Sequence, residues 1–598
     1  MMGSTGAVCA LLAALCGACQ ALQGGMLFPT ESPSREVKDV SGLWSFRADL
    51  SPERNRGFEQ HWYRSPLAQT GPVIDMPVPS SYNDITQDAK IRDFIGWVWY
   101  EKDVWVPARW IQDRGARIVL RVGSAHYYSV LWVNGVKVTE HEGGHLPFEA
   151  DISGVLRQTS GNPCRITIAV NNTLTLETLP PGTIQYMNDR SRYPAGYFVQ
   201  NTDFDFFNYA GIHRPVLLYT TPKAHIDDIS VETTFSDNIG KHQPKSVFIH
   251  LLFVQQPQLF LRSYIVWWKN TVFINIITLY LLVSSRTHTD PMSVKHCIVT
   301  SLTPRFVWQI RGKGFDWPLV VKDFNLMKWM GVNSFRTSHY PYAEEILQMA
   351  DRHGIMQIIN VCVCVFLRRS FGNVSLAHHL TVMEELVRRD KNHPSVVMWS
   401  VANEPASEMP PAGFYFKELV SHTKSLDSSR PVTYITDSNY ARDQGAQYVD
   451  VICVNSYLSW YHDPGHTELI SLQLNTQFDD WYDKYQKPII QSEYGADAVA
   501  GLHSDPPMMF TEEYQTTVLQ NYHNVFDQKR KEFVIGELIW NFADFMTAQT
   551  ITRVVGNKKG IFTRQRQPKA GALLLRERYW RIANETGVLP TWARYPCQ

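Results

Sequence analysis

From residue 311 onward the sequence repeats one pattern, a stretch with helical spacing followed by a short apolar run. Residues 316–330 read as a helix that stops at Gly331, and the apolar run 332–335 follows. Residues 343–352 repeat the pattern, with Gly354 as the stop and 355–359 as the next run; 382–389 precede 396–401. Further apolar runs lie at 432–436, 451–454, 488–492 and 533–540, most with a helical stretch ahead of them. Strands separated by helices pair in parallel, because the helix supplies the crossover that a tight turn cannot. The architecture this dictates over 311–598 is a (β/α)8 TIM barrel. Seven strands can be counted, and the one that should come first has only 306–310 to draw on, which is a poor strand. The expectation is a barrel whose first strand is missing or replaced.

Upstream, the period changes. Ile118, Leu120 and Val122 alternate with polar neighbours, and so do Ile166, Ile168 and Val170. Between them, Asn134-Gly135 separates the runs 130–133 and 136–138. Both positions of such a turn need positive φ, so this is a hairpin signal. Residues 22–223 therefore read as a β jelly-roll sandwich. Residues 224–310 begin like a strand at 229–233 and then lose alternation. Their dense apolar run, 272–283, is too short to span a membrane and reads as a buried strand or helix in a disrupted domain. At the start, the apolar run 7–19 and the small residues after it read as a signal peptide over 1–21. A chain of 598 residues exceeds one hydrophobic core, in keeping with this multidomain division.

Formal net charge is zero, which gives no electrostatic ground for a nucleic-acid or membrane-surface partner. Three of the nine cysteines lie in the leader, and Cys164, Cys297, Cys362, Cys364, Cys453 and Cys597 are too scattered to form a disulfide framework. Sequons at Asn171, Asn373 and Asn584 are glycosylation candidates if the leader is used. His141-Glu-Gly-Gly-His145 fits H-E-x-x-H, but a zinc site needs that pattern on a helix, and two glycines between β segments deny it one. No metal or organic cofactor is implied.

Two carboxylates stand out. Glu404 follows the run 396–403 and Glu493 follows 488–492, each directly past a buried strand. The C-terminal strand ends of a barrel form its active-site face. A lone glutamate there is commonly a surface group; two, each at the end of an apolar-then-polar run, match glycoside hydrolysis, which needs one carboxyl to protonate the leaving oxygen and another to attack carbon or activate water.

Trp399-Ser-Val-Ala-Asn403-Glu404-Pro405 resembles the acid/base signature of family 2 glycoside hydrolases, and Gln491-Ser-Glu493-Tyr494-Gly495-Ala496 their nucleophile signature. Phe335-Arg336-Thr-Ser-His339-Tyr-Pro-Tyr342 resembles the motif of their second barrel strand. Asn557-Lys558-Lys559-Gly560, Trp540-Asn-Phe-Ala-Asp-Phe545 and Asn208-Tyr-Ala-Gly211 look specifically like the β-glucuronidase branch. The resemblance implies a retaining exo-glycosidase, with Glu493 as nucleophile and Glu404 as acid/base. Asn403 would hold the sugar 2-hydroxyl, and Tyr457 would tune the nucleophile. Asn557 and Lys559, assisted by Arg553, would grip a C6 carboxylate through charge-assisted hydrogen bonds. Asp205 would reach the sugar from the jelly roll, and His339 and Trp540 would line the pocket. Without the resemblance, Lys559 would read as a solvated surface lysine, Tyr457 and Trp540 as core aromatics, His339 as a structural histidine and Asp205 as a turn residue.

The resemblance further implies substrates ending in β-D-glucuronic acid, namely glycosaminoglycan fragments and glucuronide conjugates. It implies a lysosomal glycoprotein and a homotetramer. It also implies an immunoglobulin-like β-sandwich between jelly roll and barrel, of which 224–310 would be a disrupted remnant. At the third strand's end, where the family has an acidic motif, the chain reads Asn360-Val-Cys-Val363. Together with the missing first strand, this raises an alternative: a catalytically impaired pseudoenzyme or glycan-binding protein of the same descent. A neutral-sugar hydrolase of the family is a further reading, against which Asn557 and Lys559 argue.

Overall fold

The structure is a computed structural model and describes residues 26–86, 88–159, 163–201, 209–234, 246–255, 258–266, 299–302, 312–361, 371–547 and 553–587. The leader, Asp205, Asn208, the apolar run 272–283, the segment 306–310 and Cys297, Cys362, Cys364 and Cys597 lie outside these residues.

The jelly roll packs a four-stranded sheet on a six-stranded one. Their inner faces meet in a core that includes Trp44, Phe46, Tyr100, Leu120, Val122, Leu131, Ile166 and Ile168, among them residues whose alternation marked the strands at 118–122 and 166–170. Strands Tyr128–Val133 and Val136–Glu142 pair antiparallel across Asn134-Gly135, which take φ +50° and +81° as the hairpin requires. His141 and Glu142 lie on that second strand, so the H-E-x-x-H residues have no helix to share. The region after the jelly roll supplies a three-stranded antiparallel sheet, from strands His225–Thr234, Ser246–Gln255 and Gln258–Val266.

The barrel closes with eight parallel strands, which corrects the expectation of a missing one. They are β1 (Val299–Leu302), β2 (Ser334–Arg336), β3 (Met356–Asn360), β4 (Val396–Asn403), β5 (Val432–Thr436), β6 (Ile452–Asn455), β7 (Ile489–Glu493) and β8 (Val534–Ile539). Strand β1 pairs with β2 at Ser301–Ser334 and with β8 at Val299–Gly536 through Leu302–Ile539. The first stave thus comes from ahead of 306–310, and the barrel begins before residue 311. It was hard to see because a four-residue strand with Thr300 and Ser301 at its centre shows no apolar run.

The barrel interior is filled by Ile358, Met398, Ile435, Cys453, Ile490, Ile535 and Leu538. A larger core fills the layer between strands and helices. Helix α1 (Trp317–Met330) has Asp316 as N-cap, whose carboxylate accepts from Leu319 N, and Gly331 as a left-handed C-cap at φ +80°. Helix α2 (Glu344–His353) ends the same way on Gly354, and carries Glu344 and Glu345 in its first turn, where the helix dipole favours negative charge.

Candidate active site

Glu404 stands one residue past β4 and Glu493 is the last residue of β7, so both reach the same mouth of the barrel. Both are buried. Glu404 holds φ +45°, a left-handed conformation that a residue with a Cβ adopts only when its surroundings enforce it. Here its backbone N–H donates to Ile435 O at 2.8 Å, fixing the bend.

One side chain ties the pair together. Asn455, the last residue of β6, donates from Nδ2 to Glu404 Oε1 at 2.6 Å, and it also hydrogen-bonds the Glu493 carboxylate. Ser492 Oγ donates to Asn455 Oδ1 at 2.8 Å, which turns the amide so that its N–H groups face the carboxylates. Glu493 accepts further bonds from Arg336 Nη2 and from the Tyr457 hydroxyl. Burial pushes the Glu493 carboxyl upward, opposed by the Arg336 charge and by the Tyr457, Arg336 and Asn455 hydrogen bonds. Glu404 lies well above the usual carboxylate range, first through burial and then through the charges of Glu493 and Asp437. The environment therefore separates the two: Glu493 ionises first, and Glu404 keeps its proton.

Asn403 is buried beside them, and its Oδ1 accepts from Arg336 Nη1 at 3.0 Å. That fixes the amide with its nitrogen, a donor, away from the arginine. The His339 ring stacks on Trp540 at 4.9 Å and 14°, and its Nδ1 lies 3.9 Å from Glu493 Oε1. These two rings and Phe545 wall one side of the site.

Lys559 is not a solvated surface lysine: its side chain is fully buried and paired with Asp497. Its Nζ donates to the Tyr461 hydroxyl at 2.9 Å and sits over the rings of Tyr461, Trp460 and Tyr457 at 4.5, 4.9 and 5.4 Å. Arg553 Nη2 donates to the same hydroxyl at 2.6 Å. Asn557 is buried, and its Oδ1 accepts from Lys559 N at 3.0 Å, closing the turn that presents the lysine. Tyr457 and Tyr461 meet edge to face at 5.1 Å. Tyr457 thus spans the site, its hydroxyl on Glu493 and its ring under the ammonium of Lys559. A groove of about 770 Å³ opens from Glu404 and runs past Asn439, Arg442 and Asp480.

The structure so gathers Glu404, Glu493, Asn403, Tyr457, His339, Trp540, Arg553, Asn557 and Lys559 at one mouth; Asp205 lies outside the described residues. Arg336, Asn455, Tyr461 and Asp497 complete the set and had been given no role. Arg336 sits inside the motif of the second strand, so position alone could have marked it; Asn455 ends a strand at the level of the two glutamates. Of the sequon asparagines, Asn373 and Asn584 are exposed, whereas Asn171 is half-buried and accepts from Thr173 N at 3.0 Å.

Two family models match the chain, "Glycosyl hydrolases family 2, sugar binding domain" over 37–222 and "Glycosyl hydrolases family 2, TIM barrel domain" over 307–584. The chain is 59% identical to the beta-glucuronidase of Mus musculus, the alignment covering 98% of this chain and 96% of that protein. It is 57% identical to that of Homo sapiens, over 100% and 98%. Among solved structures, the beta-D-glucuronidase of Dictyoglomus thermophilum superposes with a TM-score of 0.77 at 40% identity, covering 93% of this chain and 99% of that one. A beta-glucuronidase from Ruminococcus gnavus in complex with D-glucaro 1,5-lactone gives 0.77 at 31%, covering 93% and 100%. The chain belongs to the family 2 glycosyl hydrolases, on their beta-glucuronidase branch.

Proposed function

We propose that the chain hydrolyses terminal β-D-glucuronides with retention at the anomeric carbon. The observation that carries this reading is the span of Tyr457: one end binds the nucleophile Glu493, and the other lies against the buried cation Lys559. A pyranose laid along that tyrosine puts its anomeric carbon at Glu493 and its C6 carboxylate at Lys559, Asn557 and Arg553.

In the first step a Glu493 oxygen bonds the anomeric carbon while the glycosidic bond breaks, and Glu404 gives its proton to the leaving oxygen. The glycosyl ester then meets water. Glu404, now a carboxylate, takes a water proton as the oxygen attacks carbon, and the Glu493 ester bond breaks. Asn403 donates to the 2-hydroxyl, a contact that strengthens in the oxocarbenium-like transition state. The leaving group occupies the groove that opens at Glu404. Glycosaminoglycan fragments and glucuronide conjugates are the substrates proposed. Lysosomal delivery after removal of the leader, and assembly as a homotetramer, belong to the same proposal. Light scattering on the secreted protein checks the last of these.

Lys559→Ala tests the substrate. A lost charge-assisted hydrogen bond of about 1.5–3 kcal/mol lowers kcat/KM for an aryl glucuronide about 10- to 150-fold. The rate on the matching aryl glucoside, however slow, is expected to change little. Equal losses on both would remove the carboxylate grip from the account.

A further inference from the structure

Two strands of the six-stranded jelly-roll sheet are apolar on both faces. Val98 and Tyr100 of strand Trp97–Val104 lie in the sandwich core, and so do Leu131 and Val133 of strand Tyr128–Val133. The residues that alternate with them belong to a separate cluster on the other face: Trp97, Trp99, Tyr128, Val130 and Trp132. The outward face of an antiparallel sheet is ordinarily polar, because water covers it. Here the segment 58–67 covers part of it. Tyr63 stacks on Trp132 at 4.8 Å and 10°, and Trp132 stacks in turn on Trp99 at 5.5 Å and 22°. Trp97 and Tyr128 remain half-buried and meet edge to face at 5.8 Å and 74°. Phe58 meets Trp97 in the same way, at 4.7 Å and 69°.

A groove of about 640 Å³ opens over these rings, with Phe58, Trp97, Tyr128, Val130 and Trp132 as its floor. It shares no described lining residue with the groove at Glu404. Tyr128 and Trp132 are separated by about 13 Å of strand, so the floor is long enough for more than one pyranose. The rim is polar, formed by Asn55, Arg64, Lys137 and Glu140. Glu140 is already engaged: it accepts from Lys137 Nζ at 2.8 Å and from the Tyr128 hydroxyl at 2.5 Å. Asn55 and Arg64 are exposed, and neither side chain makes a hydrogen bond or ion pair among the described residues. The place of Arg64 is fixed by its backbone. Arg165 Nη2 donates to Arg64 O at 2.9 Å, and the hairpin tip packs so closely that a Cβ on Gly135 would lie 3.5 Å from Arg64 Cα. An aromatic floor inside a hydrogen-bonding rim suits a saccharide, whose C–H faces pack on rings while its hydroxyls reach the rim. The volume falls within the range of about 300–1,000 Å³ usual for ligand sites. With Glu140 held by Lys137, the guanidinium of Arg64 is left to pair with an anion on the ligand.

We propose that this groove is a second, non-catalytic glycan site, which takes an acidic oligosaccharide with its pyranose faces on Trp97 and Tyr128 and a uronic carboxylate on Arg64. The class of glycan rests on the reading of the barrel as a glucuronidase: a polymer cleaved there at its end carries further uronic residues along its length. Holding that polymer on the jelly roll concentrates its chain ends around the barrel.

The test is a calorimetric titration of the full chain with an oligosaccharide of alternating glucuronic acid and N-acetylglucosamine. Its non-reducing end is N-acetylglucosamine, so that it offers the barrel no terminal glucuronide. Binding to the parent protein is expected, weakening as salt is added. Trp97→Ala should weaken it about tenfold, and Arg64→Gln severalfold with a flatter salt dependence. No binding to the parent, or the same affinity in both variants, overturns the site. A neutral oligosaccharide of N-acetylglucosamine that binds the parent as tightly as the acidic one overturns the uronic assignment. Trp97 packs on Phe58, and if its variant does not fold, Arg64→Gln, changed at an exposed side chain, decides the matter. Hydrolysis of an aryl glucuronide by the parent is measured separately: its absence would defeat the proposed function and leave the binding result standing.

Discussion

Asn455 shows how a neutral residue can set the chemistry of two charged ones. Its Nδ2–H groups reach both carboxylates, and the bond to Glu404 favours that group's ionised form. The account gives activity a bell-shaped pH dependence, rising as Glu493 ionises and falling as Glu404 loses its proton. Removing the amide in Asn455→Ala takes away a bond that lowers Glu404, so its acid form survives to higher pH. The alkaline limb should move upward, with kcat reduced about 10- to 150-fold for the loss of about 1.5–3 kcal/mol of charged hydrogen bonding. A pH–rate profile checks this, and a limb that stays put or moves down would remove Asn455 from the mechanism. At this scale the sequence was legible where chemistry demands a rare arrangement. Glu404 and Glu493, each at the end of a buried run, could be read directly. Asn455 could not, because an asparagine at a strand end is common, and its importance comes from Ser492 turning its amide. The Lys559–Asp497 pair joins residues 62 apart, a contact that only the folded loops create.

The elements were legible in proportion to their apolar length. Strands β5 and β7 are buried throughout and β4 at all positions but Val397, and helices α1 and α2 announce their ends with Gly331 and Gly354 at positive φ. Strand β1 is a short stave with a polar middle, and its place is defined by the ladders on either side of it. That pairing can be tested by the backbone alone. Proline has no N–H and removes a ladder hydrogen bond, so it is not tolerated in the interior of a sheet. Ser301→Pro should lower the unfolding midpoint by several degrees and reduce activity, since β1 closes the barrel between β2 and β8. Unchanged stability and activity in that variant would mean that 299–302 is not a barrel strand.

At the scale of the whole molecule, the jelly roll and barrel are joined by buried charge. Arg121, 1% exposed, donates from Nη1 to Glu149 at 2.6 Å within the jelly roll and from Nη2 to Glu344 at 2.8 and 3.0 Å on α2. The Tyr219 hydroxyl donates to Glu149 at 2.8 Å and completes the network. Arg121→Met would leave two buried carboxylates without their cation, at a cost of about 3–5 kcal/mol, read as a fall in the thermal midpoint. Little change there would show that the domains are held by other contacts. Nothing in the sequence pointed to this latch, since its partners come from different domains and charged residues in β strands usually face water. The closed barrel brings Glu404 and Glu493 to one mouth, and it removes the missing stave that had motivated the pseudoenzyme alternative. The central claim is that this pair works, with Glu493 forming the covalent bond. A 2-deoxy-2-fluoro-β-glucuronyl fluoride slows the second step more than departure of fluoride, so it should inactivate the enzyme and leave one fluoroglucuronyl group on the peptide containing Glu493, found by mass spectrometry after proteolysis. Turnover of glucuronides with no adduct on Glu493, or release of the product with inverted configuration, would contradict it.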